Sequence, residues 1–216
     1  MPITHLLFDL DGTLYPHNNG IWDAIASRME DYMYSFLGLP REEIPSIREN
    51  YYHQYGTTLK GLLIHHNIDP YQYLDFVHAI PLDDYIKADQ RLRQSLEEIS
   101  IPRWIFTNAD TNHAKRVLDK LGISDQFEGI LSIDSLDFLN KPEPVAFQAA
   151  LKALHDPDPQ ACILIDDIPK NLISASKFGL HTILVGSTDP APEINQCIPD
   201  IYQIATILDQ VIQEAK

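Results

Sequence analysis

Short apolar runs, each closed by a polar or turn residue, mark the start of the chain and its second half. Ile3 to Phe8 is such a run and ends at Asp9. It reads as a buried strand of a parallel sheet, because strands covered on both faces are continuously apolar rather than alternating. Equivalent runs are Trp104-Ile105-Phe106 before Thr107, Gly129-Ile130-Leu131-Ser132, Cys162-Ile163-Leu164-Ile165 before Asp166, and Thr182-Ile183-Leu184-Val185 before Gly186. Helical patterns separate them. Asp110 or Thr111 can cap a helix with Ala114, Val117, Leu118 and Leu121 on one face and Gly122 as its stop. Glu143-Pro144 opens a helix running to Leu154, and Pro169 opens another that Gly179 ends. Ile201 to Ala215 reads as a closing amphipathic helix. Strands alternating with helices predict a doubly wound α/β sheet.

From about Pro16 to Tyr85 the period is helical and no strand run stands out. Ile21 to Leu37 with Gly38 as stop, Glu42 to His53, Leu59 to His66 and Tyr71 to Ala79 are the predicted helices. An insertion placed directly after the first strand lies above that strand's C-terminal end, where open α/β sheets bind ligands. The chain therefore divides into a core, residues 1–15 and 86–216, and a helical cap, residues 16–85, positioned as a lid.

Composition narrows the classes. The 216 residues suit one domain with an insertion, and no stretch approaches the roughly 20 consecutive apolar residues of a membrane span. The start, Met1-Pro2-Ile3-Thr4-His5, has no basic segment followed by an apolar one, so no signal peptide is expected. Cys162 and Cys197 make no disulfide framework, and a cytoplasmic location is expected. A formal net charge of −15 repels nucleic-acid backbones and anionic membranes. An anionic small molecule gains no steering from this surface, so a site for one must build its own positive field.

Candidate chemistry stands at the strand ends. The first strand runs into Asp9-Leu10-Asp11-Gly12-Thr13, the second into Thr107-Asn108, and the fourth into Asp166-Asp167; Lys141 follows the third. All face one edge of one sheet. Carboxylates crowded together repel one another, and a hard cation with oxygen ligands, magnesium, relieves that repulsion. Asp9 can then serve as a nucleophile toward phosphorus and Asp11 as general acid and base. Thr107, the amide of Asn108 and Lys141 can hold phosphate oxygens. Each element has a plainer reading, as a turn, a helix cap or a solvated loop. An EF-hand start at Asp9 is rejected, because a strand precedes it and Gly20 stands where a bidentate Glu is required. His65-His66 is set aside as a metal site, since adjacent residues on a helix diverge and no partner follows at ligand spacing.

Taken in order, these four elements resemble the motifs of the haloacid dehalogenase superfamily, over nearly the whole chain. The resemblance implies a Rossmann-like core and an aspartyl-phosphate intermediate. It implies magnesium held by Asp9, the backbone carbonyl of Asp11 and the fourth-motif acid, with Asp167 favoured as the direct ligand and Asp166 adjacent or sharing. Thr13 and Asn171 would support this shell. Dehalogenation is not expected, since that chemistry goes with loss of the second aspartate of the first motif, which is present here as Asp11. Within the superfamily the chain is more similar to the pyrimidine 5′-nucleotidases, through Phe8 to Pro16, Gly20-Ile21, Tyr55 to Leu62 and Ile105 to Asp110. This implies a nucleoside monophosphate substrate, UMP or CMP. Members of that subgroup often carry Asp-Asp-Thr where this chain has Asp11-Gly12-Thr13; the exchange touches a turn residue.

For the leaving group, the expected pocket residues are Tyr15, His17, Asn18, Tyr55, Thr57 and Thr58, although tyrosines at this helical spacing also suit packing. Other small phosphomonoesters (a sugar phosphate, phosphoglycolate), phosphosugar mutase chemistry, and an inactive binding module remain as alternatives. Neither a nucleic-acid polymer nor a membrane is an expected partner.

Overall fold

In the computed structural model, which describes residues 2–189 and 192–214, the chain forms one parallel sheet with helices on both faces. The elements run β1 (His5–Phe8), α1 (Ile21–Leu37), α2 (Ile44–Tyr55), α3 (Thr58–His65), α4 (Pro70–Val77), α5 (Gln90–Glu97), β2 (Arg103–Phe106), α6 (Thr111–Leu121), β3 (Gly129–Leu131), α7 (Pro144–Ala153), β4 (Cys162–Asp166), α8 (Pro169–Phe178), β5 (His181–Val185), β6 (Gln196–Ile198) and α9 (Ile204–Glu214). The strand order is β3-β2-β1-β4-β5-β6, and every pairing is parallel.

The sheet is covered on both sides, and its central strands β1 and β4 are apolar through residues 6–8 and 162–165. Leu7 pairs in register with Trp104 on β2 and Leu164 on β4. Leu6 and Phe8 point to one face, where they join Leu92 and Leu96 of α5, Val117 of α6 and Leu208 of α9. Leu7 points to the other, with Phe147 of α7 and Leu172 of α8. This period-2 split follows from strand geometry.

After β1 the chain builds outward through β2 and β3, then crosses to β4 on the opposite side of β1. The order therefore reverses between β1 and β4, the point at which such sheets open a ligand crevice. Asp9 follows β1 and Asp166 ends β4, so the first and fourth candidate elements flank this crevice.

Helices α1 to α4 pack around an apolar cluster of their own, in which Tyr32, Met33, Leu59, Leu62, Tyr73 and Val77 are buried. Tyr32 meets Tyr73 edge-on at 5.0 Å between ring centroids. Helix α1 serves both units: Ile21 and Ile25 pack in the core cluster, Tyr32 and Met33 in the helical one. The helical layer touches the core at Gly56. There φ is +84°, and a Cβ would lie 2.7 Å from the Pro142 ring and 2.8 Å from the Asn140 amide. The Asn140 amide donates to the carbonyl of Tyr55 at 2.9 Å.

The expected strands all form, and α1 spans the predicted residues. Asp110, rather than Thr111, caps α6, accepting from the amides of Asn112 and His113. Two elements were not expected, β6 and α5. The predicted C-terminal helix begins with a 3₁₀ turn at Ile201–Gln203, and its predicted end at Ala215 lies outside the described residues. Neither cysteine forms a disulfide; Cys162 is buried in the core and Cys197 is partly buried. Among the described residues no helix is long and apolar enough to cross a membrane.

Candidate active site

The strand ends deliver their polar side chains into one buried cluster. Asp9 takes the first position after β1, and its amide donates to the carbonyl of Ile165 at 2.8 Å, tying it to β4. Lys141, 1% exposed, places its ammonium 2.8 Å from Oδ1 of Asp9 and 2.7 Å from Oδ2 of Asp166. Asn108 fixes the backbone of this lysine: its amide nitrogen donates to the Lys141 carbonyl at 2.9 Å, and its amide oxygen accepts from the Lys141 N–H at 2.8 Å. The side chain after β2 thus aims the lysine that follows β3. Thr107 is buried beside it, and its hydroxyl accepts from the amide of Ala109 at 3.0 Å.

The two carboxylates of the fourth element have different surroundings. Asp166 is fully buried and heavily bonded: Oδ1 accepts from the Ile168 amide and from Asn171, and Oδ2 from Lys141 and Asn171. Asp167 accepts from the Thr13 hydroxyl at 3.0 Å and meets Nε2 of His17 through its other oxygen. Thr13 also reaches Oδ2 of Asp9 at 3.3 Å. Gly12 permits this crowding. Its φ is +94°, and a Cβ would fall 2.4 Å from Nε2 of His17 and 2.7 Å from Asp167. The glycine within Asp11-Gly12-Thr13 is therefore matched to His17.

The electrostatics follow from burial. Desolvation pushes the Asp9 carboxyl well above its ordinary range; Lys141 opposes this, and the charges of Asp166 and Asp167 add to it. Asp166 is raised by burial in the same way, with Lys141 opposing. Burial alone would lower the Lys141 ammonium, but Asp166 and Asp9 together hold it above its usual value. Oxygens of Asp9, Asp166 and Asp167 all lie within 4.8 Å of one another. Lys141 braces Asp9 and Asp166, while Asp167 stands beside them with oxygens free of the lysine. The donor set, hard oxygens at a sheet edge, fits a magnesium ion.

Asp11 has separate partners. The Tyr15 hydroxyl donates to its Oδ1, and Nε2 of His113 lies 3.0 Å from the same oxygen. Burial raises Asp11, but His113 and the hydrogen bond from Tyr15 outweigh it and hold this carboxyl below its ordinary value. Tyr15 is pushed well above the usual phenol range, by burial and then by the charge of Asp11. Behind His113, the His78 ring stacks at 4.2 Å and joins its Nδ1 to Asp110. The sequence reading did not anticipate His113, His78 or the pairing of Tyr15 with Asp11.

Above the cluster a cleft of about 640 Å³ opens between the core and the helical layer. His17, Thr57 and Thr58 line it, as do Asp9, Asp11, Thr107, Asn108 and Asn171. Tyr55 lies elsewhere, its hydroxyl 2.7 Å from Nε2 of His65. Asn18 is exposed in the 3₁₀ turn His17–Asn19, and Tyr15 is buried beneath the floor on Asp11.

An acidic, lysine-braced centre at the switch point of a parallel sheet, under a helical insertion, defines a class of hydrolase. A profile of the haloacid dehalogenase-like hydrolases matches residues 3–179, and the chain belongs to that family. It is 31% identical over 191 residues to phosphate metabolism protein 8 of Saccharomyces cerevisiae, a match covering 82% of this chain and 60% of that protein. The chain thus spans only about 60% of that relative's length. It is 25% identical over 217 residues to ribulose-1,5-bisphosphate 5-phosphatase of Halopiger xanaduensis, covering 88% of this chain and 86% of that protein. The orthorhombic form of YfnB from Bacillus subtilis, bound to magnesium, has the same fold, with a TM-score of 0.60 at 16% identity over 97% of this chain and 100% of that one.

Proposed function

We propose that this protein is a magnesium-dependent phosphomonoester hydrolase acting through an aspartyl-phosphate on Asp9, with a pyrimidine nucleoside 5′-monophosphate as substrate. The observation that carries the reading is the buried arrangement of Asp9, Lys141 and Asp166–Asp167 beneath a cleft of about 640 Å³. The phosphatase named among its relatives and the magnesium-bound structure of the same fold support it.

Asp9, Asp167 and the main-chain carbonyl of Asp11 would hold the metal. Asp166, already saturated by Asn171, Lys141 and the Ile168 amide, serves chiefly to hold the lysine. When bound, magnesium supplies charge neutralisation of the phosphate and lowers the pKa of Asp9.

Asp9 attacks phosphorus, a carboxylate–phosphorus bond forms, and the bond to the ester oxygen breaks. Asp11, a carboxylate in the unliganded site, takes up a proton as the phosphate anion enters beside it and gives that proton to the ester oxygen. Water then attacks the phosphoryl group, Asp11 takes the water's proton, and Asp9 is released as a carboxylate with inorganic phosphate. Tyr15 and His113 both engage Oδ1 of Asp11, so exchange with substrate is assigned to Oδ2. Lys141, the Thr107 hydroxyl and the Asn108 amide hold the phosphoryl oxygens. The core, residues 1–15 and 86–216, carries this chemistry, and residues 16–85 form the cap that excludes water. Two cysteines without a disulfide suit a cytoplasmic setting.

Assay of UMP, CMP, a hexose phosphate and phosphoglycolate with magnesium tests the reading. UMP and CMP should be preferred, and Asp9→Asn should abolish turnover of all four. Metal-dependent activity surviving in Asp9→Asn would refute the covalent mechanism; a clear preference for the sugar phosphate would refute the substrate.

A further inference from the structure

The cleft is built from two unlike halves. Its floor is the polar centre. Its upper walls come from the helical layer and are largely apolar: Ile25 and Met29 of α1, Leu59 of α3, Leu74 and Val77 of α4. Polar atoms within such walls should be paired, because a buried donor without a partner costs about 1–3 kcal/mol. Three are not. Tyr73 Oη, Arg48 Nε and Trp22 Nε1 are buried and find no hydrogen-bond partner among the described residues, and all three residues line this cleft.

Tyr73 is the sharpest case. The residue is 1% exposed and lines the cleft, its ring is fixed edge-on by Tyr32, and its hydroxyl is buried without a partner. Arg48 lines the same cleft, and its Nε is likewise buried without a hydrogen-bond partner. Arg48 is itself only loosely engaged. Its nearest carboxylate, Glu30, is 3.4 Å away in a geometry that makes no hydrogen bond through Nε. Thr58 steadies the backbone here, its hydroxyl donating to the Arg48 carbonyl at 3.5 Å.

A phenol hydroxyl and a guanidinium Nε, both from residues lining one cleft and both without a hydrogen-bond partner, are donors awaiting an acceptor. Inorganic phosphate on Asp9 needs none of this apparatus. Phosphoglycolate would leave the upper cleft empty, and a hexose phosphate would set hydroxyls against Ile25, Met29, Leu59, Leu74 and Val77, which offer them no partner. A flat, largely apolar body carrying carbonyl oxygens at its far end satisfies both halves.

We propose that Tyr73 and Arg48 form the specificity anchor of the cap, donating to a carbonyl oxygen on the base of a nucleoside monophosphate whose phosphate sits on the Asp9 centre. The inference rests on the hydrolase reading above and names the groups that choose its leaving group. It also explains why an unpaired hydroxyl is kept: the stability it costs is regained when the base arrives.

The test separates binding from turnover. UMP and inorganic phosphate are titrated calorimetrically, with magnesium, into Asp9→Asn and into the same background carrying Tyr73→Phe or Arg48→Gln. UMP affinity should fall about 3–10-fold with Tyr73→Phe and about 10–100-fold with Arg48→Gln, the ranges for losing a neutral and a charge-assisted hydrogen bond. Phosphate affinity should stay within about twofold of its starting value, set by the Asp9 centre. Tyr73→Phe should leave the unliganded Tm unchanged or raise it, because it removes an unpaired polar atom. Equal losses for UMP and phosphate, or UMP affinity indifferent to both substitutions, would overturn the anchor. So would a Tyr73→Phe protein that melts lower while still binding UMP normally. Turnover of UMP by the unmodified protein is scored apart: if UMP is hydrolysed but binds indifferently to the substitutions, the anchor fails and the hydrolase stands. If UMP binds through Tyr73 and Arg48 yet is never hydrolysed, the anchor stands and the hydrolase fails.

Discussion

The ammonium of Lys141 stands 2.8 Å from Oδ1 of Asp9, with neither side chain open to more than a trace of solvent. A second contact, 2.7 Å to Asp166, makes the lysine the shared cationic partner of two buried acids. This ion cluster is costly to desolvate, and the two contacts of the lysine offset part of that cost.

Lys141→Met should therefore fail in two ways. Turnover should drop about 10²–10³-fold, the usual loss when a positive group facing the developing phosphoryl charge is removed. Stability without metal should drop about 3–5 kcal/mol, because a buried pair loses one partner. Urea unfolding with and without magnesium measures the second effect, and added metal should return part of the loss. Lys141→Arg should not restore activity, since a planar fork cannot replace a point charge between two carboxylates.

Asp110 supports the site from behind by capping α6, the helix that carries His113. Burial acts to raise its carboxyl, but the hydrogen bond from His78 and the amide of His113 outweigh it and bring the value down to about 2, from an ordinary 3.8. A depressed carboxyl contributes stability that is present above its unfolded pKa and lost as pH falls through the folded one. Asp110→Asn keeps a capping oxygen but loses the charge that pairs with His78, and should cost about 1.5–3 kcal/mol at pH 7, the range for a hydrogen bond to a charged group. The Tm difference between the two proteins should persist down to about pH 4 and close toward pH 2. A difference that stays constant from pH 7 to pH 2 would show that this carboxylate is not held by its charge.

His17 competes for the acid proposed to hold the metal, since its Nε2 lies on Oδ2 of Asp167. Its side chain is half exposed, so it can swing away at little cost. His17→Ala should bind magnesium about 2–10-fold more tightly, the equivalent of one hydrogen bond no longer broken on binding. Calorimetric titration with magnesium reads this directly; weaker binding would mean that the imidazole assists the metal site instead.

Much of this was legible in the sequence because it is local. Asp9, Thr107 and Asp166 announce themselves by following apolar runs, and parallel topology gathers strand ends at one edge whatever lies between them. Helix α5 escaped because only Leu92 and Leu96 of its residues are buried, too few to mark a periodic face. Strand β6 escaped because Gln196 and Cys197 are only partly buried at the sheet edge, leaving no apolar run to read. Within the site, the missed residues are those whose partners depend on packing. His113 looks like an ordinary helix residue; the return of α6 against β1 brings it to Asp11. Tyr15 drew notice as a pocket aromatic, yet the turn through Gly12 folds its hydroxyl back onto Asp11, four residues earlier. The unpaired hydroxyl of Tyr73 has no sequence signature, since a tyrosine in an amphipathic helix is usually core.

The central claim is that Asp9 becomes phosphorylated. With an activated aryl phosphate, whose leaving group needs no proton, Asp11→Asn should slow hydrolysis of the intermediate more than its formation, because the base that activates water is lost. Acid-quenching that variant after brief incubation with the aryl phosphate and magnesium, followed by peptide mass spectrometry, should place a phosphoryl group on Asp9. Turnover of the aryl phosphate with no adduct on Asp9, or with the phosphoryl group on another residue, would contradict the account.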